Sequence, residues 1–255
     1  MTQEERLDYL IGALLEERPR TRLDARMPSE LQLRSLLNMR PPMPVSGTFL
    51  QVQDAYLRQA IRERGVTDIT ALKPVREGIY LWRGDITTLR AGAIVNAANS
   101  RMLGCFVPCH TCIDNAIHTY AGVQLRLACQ ALTEGQARPQ ATGAARITAG
   151  YNLPSDHVIH TVGPIVFGRL TRQDCDLLAA CYRACLTLAE RHGIESIAFC
   201  CISTGEYRFP NQAAAEIALD TVTRYRTEEK SKIKVIFNVF KEYDDEIYRR
   251  LLGAD

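Results

Sequence analysis

The chain has 255 residues, of which 46% are hydrophobic and 24% charged, and this is enough apolar material for one large domain or for one domain with an appendage. The 31 lysines and arginines nearly balance the 29 aspartates and glutamates, and no long basic run occurs, so we expect no nucleic-acid partner. The chain opens with acidic residues rather than a basic leader, and no apolar run reaches the roughly 18 residues of a membrane span. The sequence therefore predicts a cytoplasmic protein without a membrane partner.

Residues 1–72 are predicted to form a helical extension that packs on the main domain. Its first amphipathic helix is indicated by apolar residues at three- and four-residue spacing, namely Leu7, Leu10, Ile11, Leu14 and Leu15. A second short helix is predicted after Pro28, and a third from Leu50 to Arg64 that ends at Gly65. The apolar faces of these helices are expected to face the core, and we assign no chemistry to them.

Residues 73–255 alternate between strands and helices. Strands are predicted within GIYLWRGDIT, AGAIVNAAN, RITAGY, HVIHTVG, ESIAFCCIS and KIKVIFNVF. Helices are predicted over IDNAIHTYAGVQLRLACQAL as one element, from Asp174 to about Arg191, and from Pro210, since proline prefers the first helical turn. This alternation predicts an α/β layered fold, largely parallel at its centre, with functional sites at the carboxyl ends of the strands.

The segment GCFVPCHTCIDNAIH at residues 104–118 concentrates three of the nine cysteines and two histidines. In a cytoplasmic protein, an odd number of cysteines argues for metal ligation or burial rather than a disulfide framework. Cys105, His110 and Cys112 have the spacing Cys-x4-His-x-Cys, and their two thiolates and one imidazole suit Zn²⁺. Three protein ligands leave the fourth position open, as in catalytic zinc sites. Cys109 is an alternative, either as a fourth ligand or as a substitute for one of the three, and buried thiols without a metal, or a disulfide, are the other interpretations.

The remaining cysteines and histidines are expected to be structural. Cysteines on an apolar helix face or in a buried strand act as small hydrophobic residues, and this group contains Cys181, Cys185, Cys200 and Cys201. His118 and His160 lie in predicted regular elements and are expected to support the fold rather than catalysis.

Loops of unusual composition follow the predicted strands: GDIT at 84–87, NAANS at 96–100, the cysteine-rich segment, and STGEYRFP at 203–210. A turn of small residues between a strand and a helix can point backbone N–H groups at a phosphate. Glycine at position 205 is expected to permit close approach and a positive φ. Taken alone, STG is a weak signal, and a structural turn is the better explanation of it.

Taken together, seven segments resemble the macrodomain family of ADP-ribose binders in order and spacing: GDIT, VNAANS, AIHTYAG, ATGAARITAGYNLP, VIHTVGP, IAFCCISTGEYRFP and VIFNVF. The resemblance covers about residues 73–250. It departs where most macrodomains carry a run of glycines and a Val-Asp-Gly-like segment, since only Gly104 remains here. The longer loop CFVPCHTC is similar to that of a zinc-containing, sirtuin-linked microbial subclass, which also carries a helical N-terminal extension.

The resemblance implies a three-layer α/β/α macrodomain with a mixed central sheet, binding ADP-ribose in a cleft over the strand ends. Asp85 would then accept a hydrogen bond from the adenine amino group, the Ile86 backbone would meet the ring, and Phe240 would stack on it unless it is a core residue. The diphosphate would be held by the backbone N–H groups of Ser203, Thr204, Gly205, Glu206 and Tyr207. The Glu206 carboxylate is expected to point away from the phosphates or toward the zinc.

The same resemblance implies that Asn99 orients the distal ribose and that Asp114 polarises or positions an attacking water, with Ile113 and Asn115 as further substrate-binding residues. The zinc would bind a ribose hydroxyl or activate water. The predicted function is a zinc-dependent hydrolase that removes mono-ADP-ribose from protein side chains at the anomeric carbon or an ester linkage. The alternatives are a reader without turnover, an O-acetyl-ADP-ribose deacetylase and a structural zinc module. Expected partners are ADP-ribose and mono-ADP-ribosylated protein, including a lipoyl-carrier-type protein.

Overall fold

Three helices precede the first strand in the computed structural model, which describes residues 1–254. The α-helices of residues 1–254 are α1 (Gln3–Glu17), α2 (Ser29–Met39), α3 (Gly47–Glu63), α4 (Ile113–Ala121), α5 (Val123–Thr133), α6 (Arg172–Arg191), α7 (Asn211–Glu228) and α8 (Glu242–Leu252). Its strands are β1 (Thr67–Asp68), β2 (Ile79–Arg83), β3 (Leu89–Arg90), β4 (Ala93–Ala97), β5 (Ala145–Ala149), β6 (His157–Thr161), β7 (Ser196–Phe199) and β8 (Lys234–Val239).

The main sheet is mixed and has the strand order β2-β8-β7-β4-β6-β5. All neighbours are parallel except the edge strand β5, which runs antiparallel to β6. The central strands are buried over almost their whole length, as expected for a parallel sheet covered on both faces. Helices cover both faces, so the predicted three-layer α/β/α arrangement is confirmed. The carboxyl ends of β4, β7 and β8 meet at one edge of the sheet, where a ligand site is expected.

The extension forms a small apolar core of its own against the main domain. Leu10 and Leu14 of α1, Leu36 of α2 and Phe49 of α3 are almost fully buried in it, together with Val123 of α5. Thr2 forms a capping box with Glu5 at the start of α1. The three helices lie within the predicted extension, and the boundary at residue 72 stays a prediction.

The single helix predicted from residue 113 is wrong, because the chain breaks at Gly122 into α4 and α5. Gly122 has φ of +93°, which disfavours a side chain, and a Cβ there would lie 2.6 Å from the Gln53 side chain. Gln53 reaches across from α3 and accepts a hydrogen bond from the Val123 N–H at 3.0 Å. The break therefore depends on a residue about 70 positions away.

Several predicted bounds also shift. Helix α3 begins at Gly47 rather than Leu50, because the Ser46 hydroxyl accepts a hydrogen bond from the Phe49 N–H. Thr171 caps α6 in the same way, so α6 starts before Asp174, and α7 starts just after Pro210. Helix α8 lies beyond the last element that the sequence predicts. In residues 1–254, no helix is both long and apolar enough to cross a membrane.

Candidate active site

A cleft of about 870 Å³ opens over the carboxyl ends of β4, β7 and β8. It collects nearly every residue that the sequence predicted for a site: Asp85, Ile86, Asn99, Cys105, His110, Cys112, Ile113, Asp114, Ser203, Thr204, Gly205, Glu206, Tyr207 and Phe240. Asn115 is the exception among them, because its side chain is fully buried behind the cleft wall. The loops after several different strands therefore build one site, as the topology requires.

One end of the cleft is formed around Asp85. One carboxylate oxygen accepts hydrogen bonds from the N–H and the hydroxyl of Thr87, at 2.9 and 2.6 Å. The other oxygen is paired with the guanidinium of Arg64, at the end of α3. That guanidinium also lies over the Tyr120 ring, 4.0 Å from its centre. A ligand that binds Asp85 must therefore share this carboxylate with a residue of the extension.

Phe240 lies at the same end of the cleft, directly after β8. Its side chain is 74% exposed, so the alternative that it is a core residue is excluded. The Asn238 amide donates to the Gly84 carbonyl at 2.9 Å and ties the end of β8 to the loop that carries Asp85. An exposed aromatic ring and an acceptor carboxylate thus face one space.

At the other end, Asp114 is buried in the first turn of α4. Its two oxygens accept hydrogen bonds from the amides of Asn96, at 2.8 Å, and Asn99, at 3.1 Å. Burial raises the pKa of this carboxyl to about 6, because the charged form is poorly solvated, while the two amides and the charge of Arg126 oppose the rise. Asp114 is thus an oriented carboxyl group that can exchange a proton near neutral pH.

Asn99 connects Asp114 to the segment 104–112, here called the Cys/His loop. The second hydrogen of its amide goes to the Gly104 carbonyl at 3.0 Å, and its oxygen accepts from the Arg101 N–H at 3.0 Å. Both amide hydrogens are therefore engaged, and the remaining capacity of Asn99 toward a ligand is the second lone pair of its oxygen.

The Cys/His loop brings Cys105, His110 and Cys112 together, with one ligand atom of each within 4.8 Å of the others. All three are only partly exposed. Burial, reinforced by the Cys105 thiol, raises the pKa of Cys112 to about 12, so its thiolate needs a cation beside it. Two thiols and an imidazole converging in this way fit the donor set of a zinc ion.

Cys109 points elsewhere. Its thiol donates to the Leu31 carbonyl of α2 at 3.3 Å, and its backbone has φ of +53°. Among the described residues, it does not belong to the group of potential metal ligands around His110. The geometry therefore favours the trio with Cys105 over the alternative with Cys109.

The loop that follows β7 lines the cleft between the Asp85 end and the Asp114 end. The expected positive φ at Gly205 is wrong, because the left-handed positions of this loop are Ser203 and Arg208, with φ of +66° and +57°. The Ser203 carbonyl accepts a hydrogen bond from the Phe209 N–H at 3.0 Å, and this bond closes the loop between its two left-handed residues. Of the two orientations expected for Glu206, the structure has the one that faces the Cys/His loop, with a carboxylate oxygen 3.7 Å from His110 Nε2.

Comparison with known proteins identifies the fold. Residues 95–218 match the model of the Macro domain family. Over 99% of this chain and the whole of the relative, the sequence is 52% identical to a protein named protein-ADP-ribose hydrolase from Treponema medium. It is 48% identical to a protein of the same name from Staphylococcus aureus strain MSSA476, over 98% of this chain and 96% of the relative.

The chain belongs to the macrodomain family. Among solved structures, it is similar to the Trypanosoma brucei macrodomain in complex with ADP-ribose, with a TM-score of 0.67 and 32% identity. That alignment covers 86% of this chain and 95% of the other.

In this macrodomain the extension contributes to the site, which sequence reasoning missed. Arg34 of α2 and Arg64 both line the cleft. They are separated by tens of residues from the groups they bind, so no local pattern marks them. Nothing in the sequence distinguishes these two arginines from the other lysines and arginines, which number 31 in all.

His118 and His160 are both buried, and the structural role expected of them stays a prediction. His160 lies between Asn96 and Thr148, with its two ring nitrogens 3.1 and 3.0 Å from their side chains. Burial lowers its pKa to about 3, so the ring is neutral in the folded protein. With Cys129 and His118 it forms a closed cluster behind Asp114.

Proposed function

We propose that this macrodomain binds ADP-ribose in the cleft and hydrolyses the bond between mono-ADP-ribose and a modified protein side chain. The observation that carries the proposal is the meeting of Asn99, Asp114 and the Cys/His loop at one end of the cleft. The names of the relatives from Treponema medium and Staphylococcus aureus support it, because the similarity extends over nearly the whole chain. The ADP-ribose complex of the Trypanosoma brucei macrodomain supports the ligand.

The ligand would lie with its adenine between Asp85 and Phe240 and its distal ribose toward Asn99. An ionised acceptor makes a strong bond with an exocyclic amine, and an exposed ring offers a stacking surface. Between these ends, the backbone of residues 203–207 would hold the diphosphate, because it lines the cleft and precedes the N-terminus of α7. Ile86 and Ile113 would close the apolar sides.

At the reacting end, each side chain has one assignable task. Asn99 would accept a hydrogen bond from a ribose hydroxyl, because only its oxygen has free capacity. Asp114 would orient a water and take its proton at a carboxylate oxygen, since Asn96 and Asn99 fix the carboxyl plane. The burial of Asp114 keeps bulk water from competing for that proton.

Cys105, His110 and Cys112 would hold a zinc ion in this cleft. When bound, the ion supplies a Lewis acid that favours charge developing on an oxygen at the reacting centre. The Glu206 carboxylate lies 3.7 Å from His110 Nε2 and would keep the imidazole oriented. Zinc dependence, a lipoyl-carrier protein as substrate and a cytoplasmic location are the finer parts of the proposal.

The test is release of labelled ADP-ribose from a mono-ADP-ribosylated protein, with and without a chelator, and with O-acetyl-ADP-ribose as a second substrate. We expect release from the protein, its loss after chelation, and its return on adding Zn²⁺. Binding of free ADP-ribose without release would support a reader instead, and turnover of the acetyl ester alone would support a deacetylase. Release that persists after full removal of the metal would contradict zinc dependence only. A lipoyl-carrier protein modified in the same way is the substrate to compare first.

A further inference from the structure

Helix α2 of the extension holds the Cys/His loop directly. The guanidinium of Arg34 donates to the His110 carbonyl at 2.9 Å. One turn further along, the Asn38 carboxamide oxygen accepts from the Cys109 N–H at 2.9 Å. The loop has little regular secondary structure between Gly104 and α4, so its backbone position depends on side-chain contacts such as these two.

Arg34 also joins the loop to the helix that carries Asp114. Two of its nitrogens, Nε and Nη2, lie 3.1 and 2.8 Å from the Asn115 side-chain oxygen. The amide of Asn115 in turn donates to the Val107 carbonyl at 3.0 Å. Asn115 is fully buried, so its side-chain hydrogen bonds are costly to lose. This is the structural task of Asn115, for which the sequence had predicted substrate contact.

The position of α2 is itself fixed from the main domain. Arg126 of α5 is buried and donates to the carbonyls of Leu37 and Asn38, at 3.1 and 2.9 Å, at the end of α2. A cation at this end also complements the helix dipole. The same guanidinium lies 4.3 Å from the centre of the Phe106 ring in the Cys/His loop. The loop is therefore held near its end by α2 itself and near its start by Arg126, the residue that also fixes the end of α2.

We propose that Arg34 is a positioning residue for the metal ligands. Its guanidinium fixes the His110 carbonyl, and the fixed backbone sets the imidazole toward Cys105 and Cys112. A planar group with donors in fixed directions can serve both the His110 carbonyl and Asn115, whereas a lysine ammonium cannot span both with the same geometry. The inference rests on the proposed function in placing the reaction at this loop, and it gives the extension a part in the site.

The experiment compares Arg34→Ala and Arg34→Lys with Arg58→Ala. Arg58 is the matched control, because it is another arginine of the extension whose Nε donates to an asparagine oxygen of the main domain, Asn152, at 3.0 Å. Zn²⁺ affinity is measured by competition with a chromophoric chelator, and the ligand geometry by the visible spectrum of the Co²⁺ form. Melting temperature and the kcat and KM for ADP-ribose release are followed in parallel.

Arg34→Ala is expected to weaken Zn²⁺ binding about 10–100-fold, the usual effect of losing a group that orients a ligand. The Co²⁺ spectrum should change and kcat should fall, with KM within a few-fold of the parental value. The Zn²⁺ affinity of Arg34→Lys should lie between those of Arg34→Ala and the parental protein, and its melting temperature should be parental. Arg58→Ala should keep the parental affinity and spectrum.

Parental Zn²⁺ affinity and Co²⁺ spectrum in Arg34→Lys and Arg34→Ala would overturn the proposal. Equal losses in Arg58→Ala would do the same, because they would show a general effect of loosening the extension. A parental protein that binds no Zn²⁺ would also overturn it. If the parental protein binds Zn²⁺ but releases no ADP-ribose, the hydrolase proposal fails while the affinity and spectrum still decide the role of Arg34.

Discussion

His110 and Glu206 face each other across the cleft, with Nε2 of the imidazole 3.7 Å from Oε1 of the carboxylate. The two residues come from different loops, one before α4 and one before α7. On the other side of the ring, Nδ1 lies 3.4 Å from the Cys112 N–H. The single lone pair of the neutral imidazole can accept from the Cys112 N–H or bind a metal, but not both, so a metal at Nδ1 would replace this contact. A carboxylate beside the other nitrogen of a ligand histidine strengthens it as a metal ligand.

Glu206→Ala is expected to weaken Zn²⁺ binding by about tenfold, the lower end of the range for such a group, because this carboxylate is 73% exposed. Chelator competition measures the change. The control is Glu228→Ala, since Glu228 also forms an ion pair, with Arg183 at 3.4 Å, but lies at the end of α7. Equal affinity in the Glu206 variant and the parental protein would show that His110 is oriented without this carboxylate.

Cys112→Ser tests whether loss of the metal affects activity without affecting the fold. The Cys112 side chain caps α4 by accepting from the Asn115 N–H, and a serine hydroxyl keeps this cap while losing the thiolate. We expect zinc content to fall from about one per chain and release of ADP-ribose to be lost. Affinity for free ADP-ribose should change only a few-fold, because other loops hold the adenine and diphosphate.

Cys175→Ser, a partly buried cysteine of α6, is the control for Cys112→Ser and should keep both zinc and activity. Elemental analysis, calorimetry and the release assay give the three readouts. Parallel loss of melting temperature, binding and activity in Cys112→Ser would indicate a structural metal instead of a catalytic one.

Phe240→Ala tests the adenine end. A stacked aromatic pair contributes about 0.5–1.5 kcal/mol beyond its buried area, so affinity for ADP-ribose should fall several-fold or more. The melting temperature should hardly change, because the ring is largely exposed. Phe167→Ala removes a similarly exposed phenylalanine and is expected to bind as the parental protein does; calorimetry with ADP-ribose compares them. Unchanged affinity in Phe240→Ala would show that the ring does not stack on the bound adenine.

The residues that line the cleft could largely be predicted from the sequence, because each follows a strand and parallel strands end at one edge. Asp85, Asn99 and Asp114 meet the cleft for this reason. The contacts from the extension could not be predicted. Arg34 and His110 are 76 residues apart, and their hydrogen bond results from the way α2 packs on the main domain. The hydrophobic periodicity of a sequence predicts a helix but not the position in which that helix packs.

Some features of the backbone could likewise be predicted from the sequence, and others could not. The turn at Gly122 carries a local signal, a glycine inside a helical pattern, but the residue that makes it necessary is Gln53 in α3. The positive φ at Ser203 has no such signal, because serine rarely adopts it and Gly205 stands two residues away. Only the closed loop, with its Phe209 bond, shows which residue takes the strained position.

His118 carries a prediction for stability against acid. It is buried, and among the described residues neither ring nitrogen has a hydrogen-bond partner, although Asp114 Oδ1 lies 3.5 Å from Nε2. Burial first, and then the nearby His160 and Arg126, lower its pKa well below the usual value. Cys129 completes the titratable groups around it. The ring therefore stays neutral in the folded protein while an unfolded histidine takes up a proton near pH 6.5.

The direction of the pH effect follows from this difference. Below about pH 6.5 the unfolded chain binds more protons than the folded chain, so stability that is complete above this pH is lost as the pH falls. Each such histidine contributes a slope of up to about 1.4 kcal/mol per pH unit. His160 acts in the same direction down to about pH 3. Asp114 acts in the opposite direction between about pH 4 and 6, because its folded pKa is raised.

His118→Leu is expected to flatten the loss of stability between pH 6.5 and pH 4.5 by up to about 1.4 kcal/mol per pH unit. Leucine fills the space without a titrating nitrogen, and no hydrogen bond of the imidazole is lost. Urea unfolding at closely spaced pH values gives the slope, and His192→Gln, at an exposed position after α6, should keep the parental slope. A slope in His118→Leu that equals the parental one would mean that the buried ring takes up its proton without unfolding, for example by pairing with Asp114.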